Sequence, residues 1–505
     1  DNAGQTAQLN AQNLTLANAS SATYAAGGTL GSGDLSVTAD TLTLGEGAKA
    51  IQGFGAVTVT ANELVAATGT GSLAIAAPAT LNVARISGEK ASSQSLTTTG
   101  ALTVTQHAAD RTLAPVTALG AKWAMQGRSV AFNGHAELPS GAFKLTATAG
   151  DVALGANAQV DVAGRAVQFF DVTQPSWGGT AEFVSENGNV EFVAGSKVDM
   201  SAAAGGDAGT LIVRAANGTV SLADGSVSGT AGADADGQRG EGARAVIDTG
   251  TLASFSALNT ALNSGGFDGE RNLRVRTGDV SIASTDMVKA QVIKISADGA
   301  NSNVVGDGKI NVAGTLDASG SAAGHIELFA KNNVNVESTA RLAAVSSGAN
   351  EDGGDIVIGT RKGKLNLEAS DPGKGIDVSG GAGGQGGTVL LRAPRTASGV
   401  EVVALNKDGV KVAALDGDGK RVAGSSITGA RSVSVEAVKV YDYADGSTLT
   451  ATDLTTITTD NTSFASNHAA IKDDLGMTGN SAFHVLSGVE VRSSGDLTLA
   501  NDWNL

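Results

Sequence analysis

Apolar and polar positions alternate through most of this chain, in short runs separated by glycine. Gly150-Asp151-Val152-Ala153-Leu154-Gly155 leads into Gln159-Val160-Asp161-Val162, and the phrase returns at Gly188-Asn189-Val190-Glu191-Phe192 with Val198-Asp199-Met200. A shortened copy follows at Gly218-Thr219-Val220-Ser221-Leu222 with Val227-Ser228. A period of two marks β-strands and the glycine-containing corner marks a turn, so each copy predicts two short strands. Two such strands cannot bury their own apolar face, whereas stacked copies can, and the repetition therefore predicts an all-β solenoid.

Nearer the start the copies run close together. Leu35-Ser36-Val37-Thr38-Ala39 is matched by Ala56-Val57-Thr58-Val59-Thr60, with Val37 and Val59 placed 22 residues apart. One coil of a parallel β-helix, made of short strands and their corners, needs about that length. The valines of such a strand are expected to point inward and the intervening Thr, Ser and Ala outward. Between Gln106 and Gly127 the alternation weakens, which predicts an irregular excursion. Val167 to Val172 and Trp177 supply the largest apolar side chains of the middle region, which predicts an aromatic stack inside the coil or under a loop.

Residues 231–245 have no apolar period and predict an exposed loop. Leu252, Phe255, Leu258 and Leu262 then fall at helical spacing, so a short amphipathic helix is expected over Thr251–Asn263, ended by Gly265-Gly266. Beyond about residue 395 the pattern loosens into a hairpin-like stretch from Val410 to Val422 and a helix at Asn467–Leu475. Val489–Leu499 re-enters the two-strand pattern. The expected organisation is a β-helical rod over 1–395, with a helical and loop insertion at about 231–265, and a less regular module over 396–505. About 20 coils spaced by about 4.8 Å would give a rod on the order of 100 Å long.

Composition narrows the picture. Gly is 69 of 505 residues and Pro only 6, without a three-residue period, which suits many tight turns and excludes collagen. Hydrophobic residues make up 41% and arrive in phase, which excludes a disordered chain. A formal net charge of -16 argues against nucleic acid as a partner, because phosphate binding needs a clustered basic surface. With no Cys, disulfides are absent and stability must come from ladder hydrogen bonds and burial. No apolar run is long enough for a membrane helix. The opening Asp1-Asn2-Ala3-Gly4-Gln5 has no signal-peptide character and is expected to belong to a portion of a longer polypeptide.

Enzymes acting on polysaccharides need converging carboxylates, and Asp161, Asp199, Asp317 and Asp377 are the candidates, each following an inward aliphatic. They recur with the coil, as a structural residue does, so no catalytic residue is assigned. Gly380-Gly381-Ala382-Gly383 with Gly386-Gly387, Asp234-Ala235-Asp236-Gly237 and Asp416-Gly417-Asp418-Gly419 approach calcium-binding loops without completing one. His107, His135, His325, His468 and His484 show no ligand spacing. No metal ligand or cofactor is assigned.

Three stretches together resemble filamentous haemagglutinin-like exoproteins of two-partner secretion in Gram-negative bacteria. They are Ile376–Gly381 leading to Gly386–Pro394, Gly429–Glu436, and Val489–Trp503. The resemblance implies a right-handed parallel β-helix, export through an outer-membrane transporter of the two-partner type, and a secreted or surface-attached fibre in adhesion, aggregation or biofilm. Implied partners are host or bacterial surface glycans or proteins, and the open edges of terminal coils allow end-to-end self-association. The alternatives are a polysaccharide-degrading enzyme on the same scaffold and a stalk presenting a toxin beyond the segment.

Overall fold

The computed structural model describes residues 4–18, 30–109, 111–300, 306–405, 427–500 and 502. Half of the chain (50%) is strand and 7% is helix, and the strands pair almost entirely in parallel. The chain divides into two compact units, Asp1–Arg274 and Val275–Leu505.

In the first unit the short period-two runs pair in register with their own repeats. Asp34–Leu44 lies between Thr6–Leu16 and Ala56–Ala66, and Ala79–Gly88 follows. The expected match of Val37 with Val59 is one rung of this ladder. The same position continues through Leu81, Val104, Phe132, Leu154, Phe192 and Leu222, and all of these side chains are buried. A second ladder stacks Leu73, Leu96, Met125, Leu145, Phe183, Val213 and Ile247 in the same way. Edge-on aromatic contacts tie the two ladders, Phe132 to Phe143 at 5.2 Å and Phe183 to Phe192 at 4.8 Å between ring centroids.

The second unit has the same logic, with each turn of the chain giving a strand to each of three parallel ladders. One stacks Ile282, Val312, Val336 and Leu367, another Val288, Leu316, Leu342 and Ile376. The third stacks Ile295, Leu328, Ile358, Leu391, Val435 and Val485. Between the inward positions, Asn311, Asn335 and Asn366 form an amide ladder, each successive Nδ2 donating to the Oδ1 before it at 2.5 and 2.6 Å.

Several expectations shift. The helix near 251–263 is α1, Phe255–Ser264, because Ser254 accepts from the Ala257 N–H as its N-cap while Thr251 ends the strand Arg244–Thr251. Gly265 closes it and Gly266, at φ +73°, turns the chain away. The irregular excursion ends at Gly120: Lys122–Gly127 is already a regular strand, with Trp123 buried and its Nε1 donating to the Ser87 carbonyl at 2.8 Å. In the loop 231–245, Ala231 and Ala243 are buried and the strand resumes at Arg244.

The late helix is α3, His468–Asp474, and it follows a longer helix that the alternation did not indicate, α2, Ala451–Ala465. A Thr450–Asp453 capping box starts α2, and it buries Ile457 and Phe464. Val489–Leu499 does return to strands, Phe483–Ser493 and Leu497–Leu499, pairing in parallel with Ser432–Tyr443 and Ser447–Leu449. The hairpin expected from Val410 to Val422 lies outside the described residues.

The aromatic stack expected around residue 170 is a correction. Val167–Trp177 forms no interior stack: Phe169, Phe170 and Trp177 are 57%, 101% and 61% exposed, on and beside an antiparallel hairpin inserted between two turns of the ladder. The insertion also stretches the repeat, so Leu154 pairs with Phe192, 38 residues on, where neighbouring turns need 22 or 30.

Because Phe143 is fully buried against Phe132, Phe143→Ala should cost about 3–5 kcal/mol. The expected readout is a lower urea midpoint with an unchanged slope; a midpoint equal to that of the parent chain would contradict the interior columns.

Candidate functional site

The repeated aspartates sit where each short strand meets its corner, and each braces that corner. Asp161 Oδ1 accepts the Ala163 N–H at 3.0 Å, Asp199 that of Ser201 at 2.9 Å, Asp317 that of Ser319 at 3.0 Å and Asp377 that of Ser379 at 3.2 Å. Ser201 and Ser379 add their hydroxyls to the same oxygens at 2.6 and 2.7 Å. An aspartate used this way fixes a turn two residues on. Asp161 and Asp199 are ladder neighbours, whereas Asp317 pairs with Ala343, which separates it from Asp377. The structure does not bring these four carboxylates together.

It does assemble a charge cluster that the sequence reading missed. Glu63 and Arg85 pair directly in the ladder. Arg85 Nη2 donates to Glu63 Oε1 at 2.5 Å and Nη1 to Glu137 Oε2 at 3.0 Å, with the three side chains only 8%, 14% and 18% exposed. Arg111 extends the line to Asp40 at 3.1 Å and to Glu63 at 3.2 Å. Arg165 extends it at the other end, to Asp161 at 2.6 Å and to Glu137 at 3.9 Å. The signs alternate along the line, so each carboxylate has a guanidinium beside it. Hydrolysis of a sugar needs a protonated acid and room for substrate or water between two carboxyls. Here Arg85 occupies the space between Glu63 and Glu137, which makes the cluster a brace across successive strands of the ladder. Its signal in the sequence was a pair of opposite charges, Glu63 and Arg85, one 22-residue turn apart.

His135 stands beside this brace. Burial holds its imidazole below the ordinary value; Glu137 and Asp161 pull it up and Arg85 pushes it further down. His468, on α3, is lowered by burial as well, and by Lys472 and Arg395. Among the described residues no group of three or more His, Asp or Glu side chains is placed to hold a metal ion. Asp234 Oδ1 instead accepts the N–H groups of Asp236 and Gln238 at 2.9 and 2.8 Å, and so closes its own turn. In the Gly380–Gly387 run, a side chain on Gly381 or Gly387 would collide with the carbonyl of Gly348 or Gly354. These glycines let neighbouring backbone segments approach. Asp416 and Asp418 lie outside the described residues.

Among the described residues, a groove and a projecting hairpin offer surface to a ligand. In the second unit a groove of about 590 Å³ runs along Val402–Leu405 and α3, with Lys364, Asn366, Glu401 and Asp474 at its wall. Lys364 pairs with Glu401 at 3.3 Å. In the first unit the hairpin Ala166–Phe169 and Val172–Pro175 projects from a fixed base. Ser176, itself buried, accepts the Arg165 N–H through Oγ at 2.7 Å, and its own hydroxyl pairs with Ser140 Oγ at 2.8 Å. At the tip, Phe170 adopts φ +53° with its side chain fully in solvent. A left-handed residue with a Cβ costs about 1 kcal/mol or more that glycine would avoid. No packing contact offsets that cost, which points to a use outside the fold.

No helix among the described residues is long and apolar enough to cross a membrane. No protein-family model, curated protein or solved structure matches the chain.

Arg85→Met should destabilise the protein by about 1–3 kcal/mol, because the half-buried Glu63 and Glu137 carboxylates lose their shared partner and keep only Arg111 and Arg165, and Glu63→Gln with Glu137→Gln in the same chain should recover most of it. Chemical denaturation of the single and triple variants checks this; equal losses in both would refute the brace.

For His135 the folded value lies below the unfolded one of about 6.5, so the unfolded chain takes up protons first. The stability it contributes is present above about 6.5 and is lost as pH falls through the folded value. Thermal unfolding from about pH 7.5 down to about pH 5.5 should show a falling Tm, with a smaller fall in His135→Gln.

Proposed function

We propose that the chain is a right-handed parallel β-helical segment of a filamentous haemagglutinin-like exoprotein, exported by a two-partner outer-membrane transporter and serving as an adhesive surface fibre. Parallel ladders fed once per turn support the β-helix, and a parallel crossover in one sheet is nearly always right-handed. The repeating carboxylates work as corner braces and the charge cluster is closed by its own arginines, which favours presentation over catalysis.

The observation that carries the adhesive reading is the hairpin. The exposed phenylalanines and tryptophan of the described residues, Phe169, Phe170 and Trp177, all lie on or beside it. An exposed aromatic cluster on a rigid scaffold marks a contact surface. The polar outward faces around it suit weak, many-fold contacts with surface glycans or proteins, in which avidity replaces single-site affinity.

The runner-up is a polysaccharide-degrading enzyme, favoured by the groove beside Glu401 and Asp474. Release of reducing ends from an extracellular polysaccharide would establish it.

Beads coated with the 505-residue chain should adhere to bacterial or epithelial surfaces well above albumin-coated beads, and soluble chain should compete. Adhesion no better than albumin on every surface tried would sink the adhesive reading.

A further inference from the structure

The hairpin is two-faced. Phe169 lies opposite Val172 and Val167 opposite Gln174, and directly opposed residues share a face. The other face carries Gln168 and Thr173, whose hydrogen bonds are spent on the turn: Thr173 Oγ1 donates to Gln168 Oε1 at 2.6 Å, and Gln168 Nε2 to the Phe170 carbonyl at 2.8 Å. The apolar face and tip, with Phe169, Phe170 and Val172 exposed beside the exposed Asp171 and Gln174, are left to solvent. Trp177 adds an exposed indole at the base, 61% accessible, and its own carbonyl accepts from Ser140 Oγ at 2.7 Å.

We propose that this tip is a carbohydrate-binding site for neutral pyranose polysaccharides, an assignment that rests on the adhesive reading and names its ligand class. The C–H face of a pyranose stacks on a phenyl ring, while the Asp171 carboxylate and the Gln174 amide accept and donate hydrogen bonds at its hydroxyls. Three features favour this occupant. The rings expose on the order of 450 Å², about half of the roughly 800 Å² that each partner buries in a standard protein interface. Asp171 sits in the turn itself, so insertion into a bilayer would carry a carboxylate in first. A net charge of -16 repels sulfated and uronic acid-rich chains and leaves neutral ones.

The test is affinity electrophoresis of the full chain in gels containing laminarin, mannan, dextran or heparin, alongside flotation with phosphatidylcholine vesicles and sedimentation across a concentration series. The proposal expects retardation by at least one of the neutral polysaccharides and none by heparin. It also expects affinity about tenfold weaker in the variant carrying Phe169→Ser and Phe170→Gly. That variant should keep or slightly raise its unfolding midpoint, since neither ring is buried and glycine suits the backbone at 170, so loss of binding would not be loss of folding. Absence of retardation by all three neutral polysaccharides, or equal retardation of parent and variant, overturns the proposal. Vesicle binding or dimerisation that depends on these phenylalanines overturns it too, by assigning the tip to a bilayer or to a second copy. Bead adhesion unchanged by the substitutions would sink this site while leaving the adhesive reading standing. Glycan binding without bead adhesion would do the reverse.

Discussion

Hydrogen bonds between successive parallel strands set the terms for the rest of this structure. In a parallel ladder each residue lies directly beside its counterpart one turn away, and a one-residue slip would move every side chain to the other face. An inward position is therefore stacked on another inward position, and each must be apolar and of compatible size. The run Val37, Val59, Leu81, Val104, Phe132 satisfies that condition through five turns. Where a column takes up phenylalanine, the rings meet those of the neighbouring ladder edge-on, as Phe132 does with Phe143. The same constraint explains the glycines of the Gly380–Gly387 run, whose missing side chains leave room for the carbonyls of the turn beside them.

Polar residues obey the rule too, and it makes some of them costly. Placing Glu63 against Arg85 stacks opposite charges, and Glu137 closes on Arg85 from the next strand of the ladder. Truncating one member of such a set strands its partners, although the set as a whole can be worth little compared with apolar residues. The amide ladder of Asn311, Asn335 and Asn366 is the neutral version, in which each side chain satisfies the next. Regular positions are thus committed to neighbours in the stack, and what is left free for other molecules lies mainly where the chain leaves the ladder.

That division decides what could be read from the sequence. Strand alternation and the 22-residue offset fixed the parallel repeat, down to the pairing of Val37 with Val59, because both are properties of single residues and spacings. The cap at Ser254 sets the start of α1, four residues later than the apolar spacing alone indicates, while its end differs by one residue. Helix α2 escaped because Thr452, Thr455, Thr456, Thr458, Thr459 and Thr462 look like strand residues; several instead donate their hydroxyls to the carbonyl four residues back, Thr455 to Ala451 at 2.8 Å among them. The charge brace was legible in principle, since Glu63 and Arg85 keep the repeat spacing, but Glu137 and Arg165 reach it from repeats of other lengths. The exposure of Phe169 and Phe170 could not be read from composition: large apolar residues are buried by default, and the opposite outcome depends on an antiparallel pairing that leaves the stack.

The hairpin shows why departure from the stack matters for function. A side chain inside a ladder is constrained on both sides by its neighbours, so a change there must be accommodated through several strands. An insertion at a corner escapes that coupling. Between Asp161 and Thr180 the ladder resumes its register, and Gln159 still pairs with Lys197 although the hairpin intervenes. Sequence at the tip can therefore vary without cost to the core, and a phenylalanine at a left-handed position can persist there although glycine would suit the backbone better. Rigidity at the base completes the arrangement, because the hydrogen bonds linking Ser140, Ser176 and Arg165 hold the point of departure while the tip stays solvated. A scaffold built this way keeps stability and recognition on separate residues, which is what lets one regular stack carry an irregular contact surface.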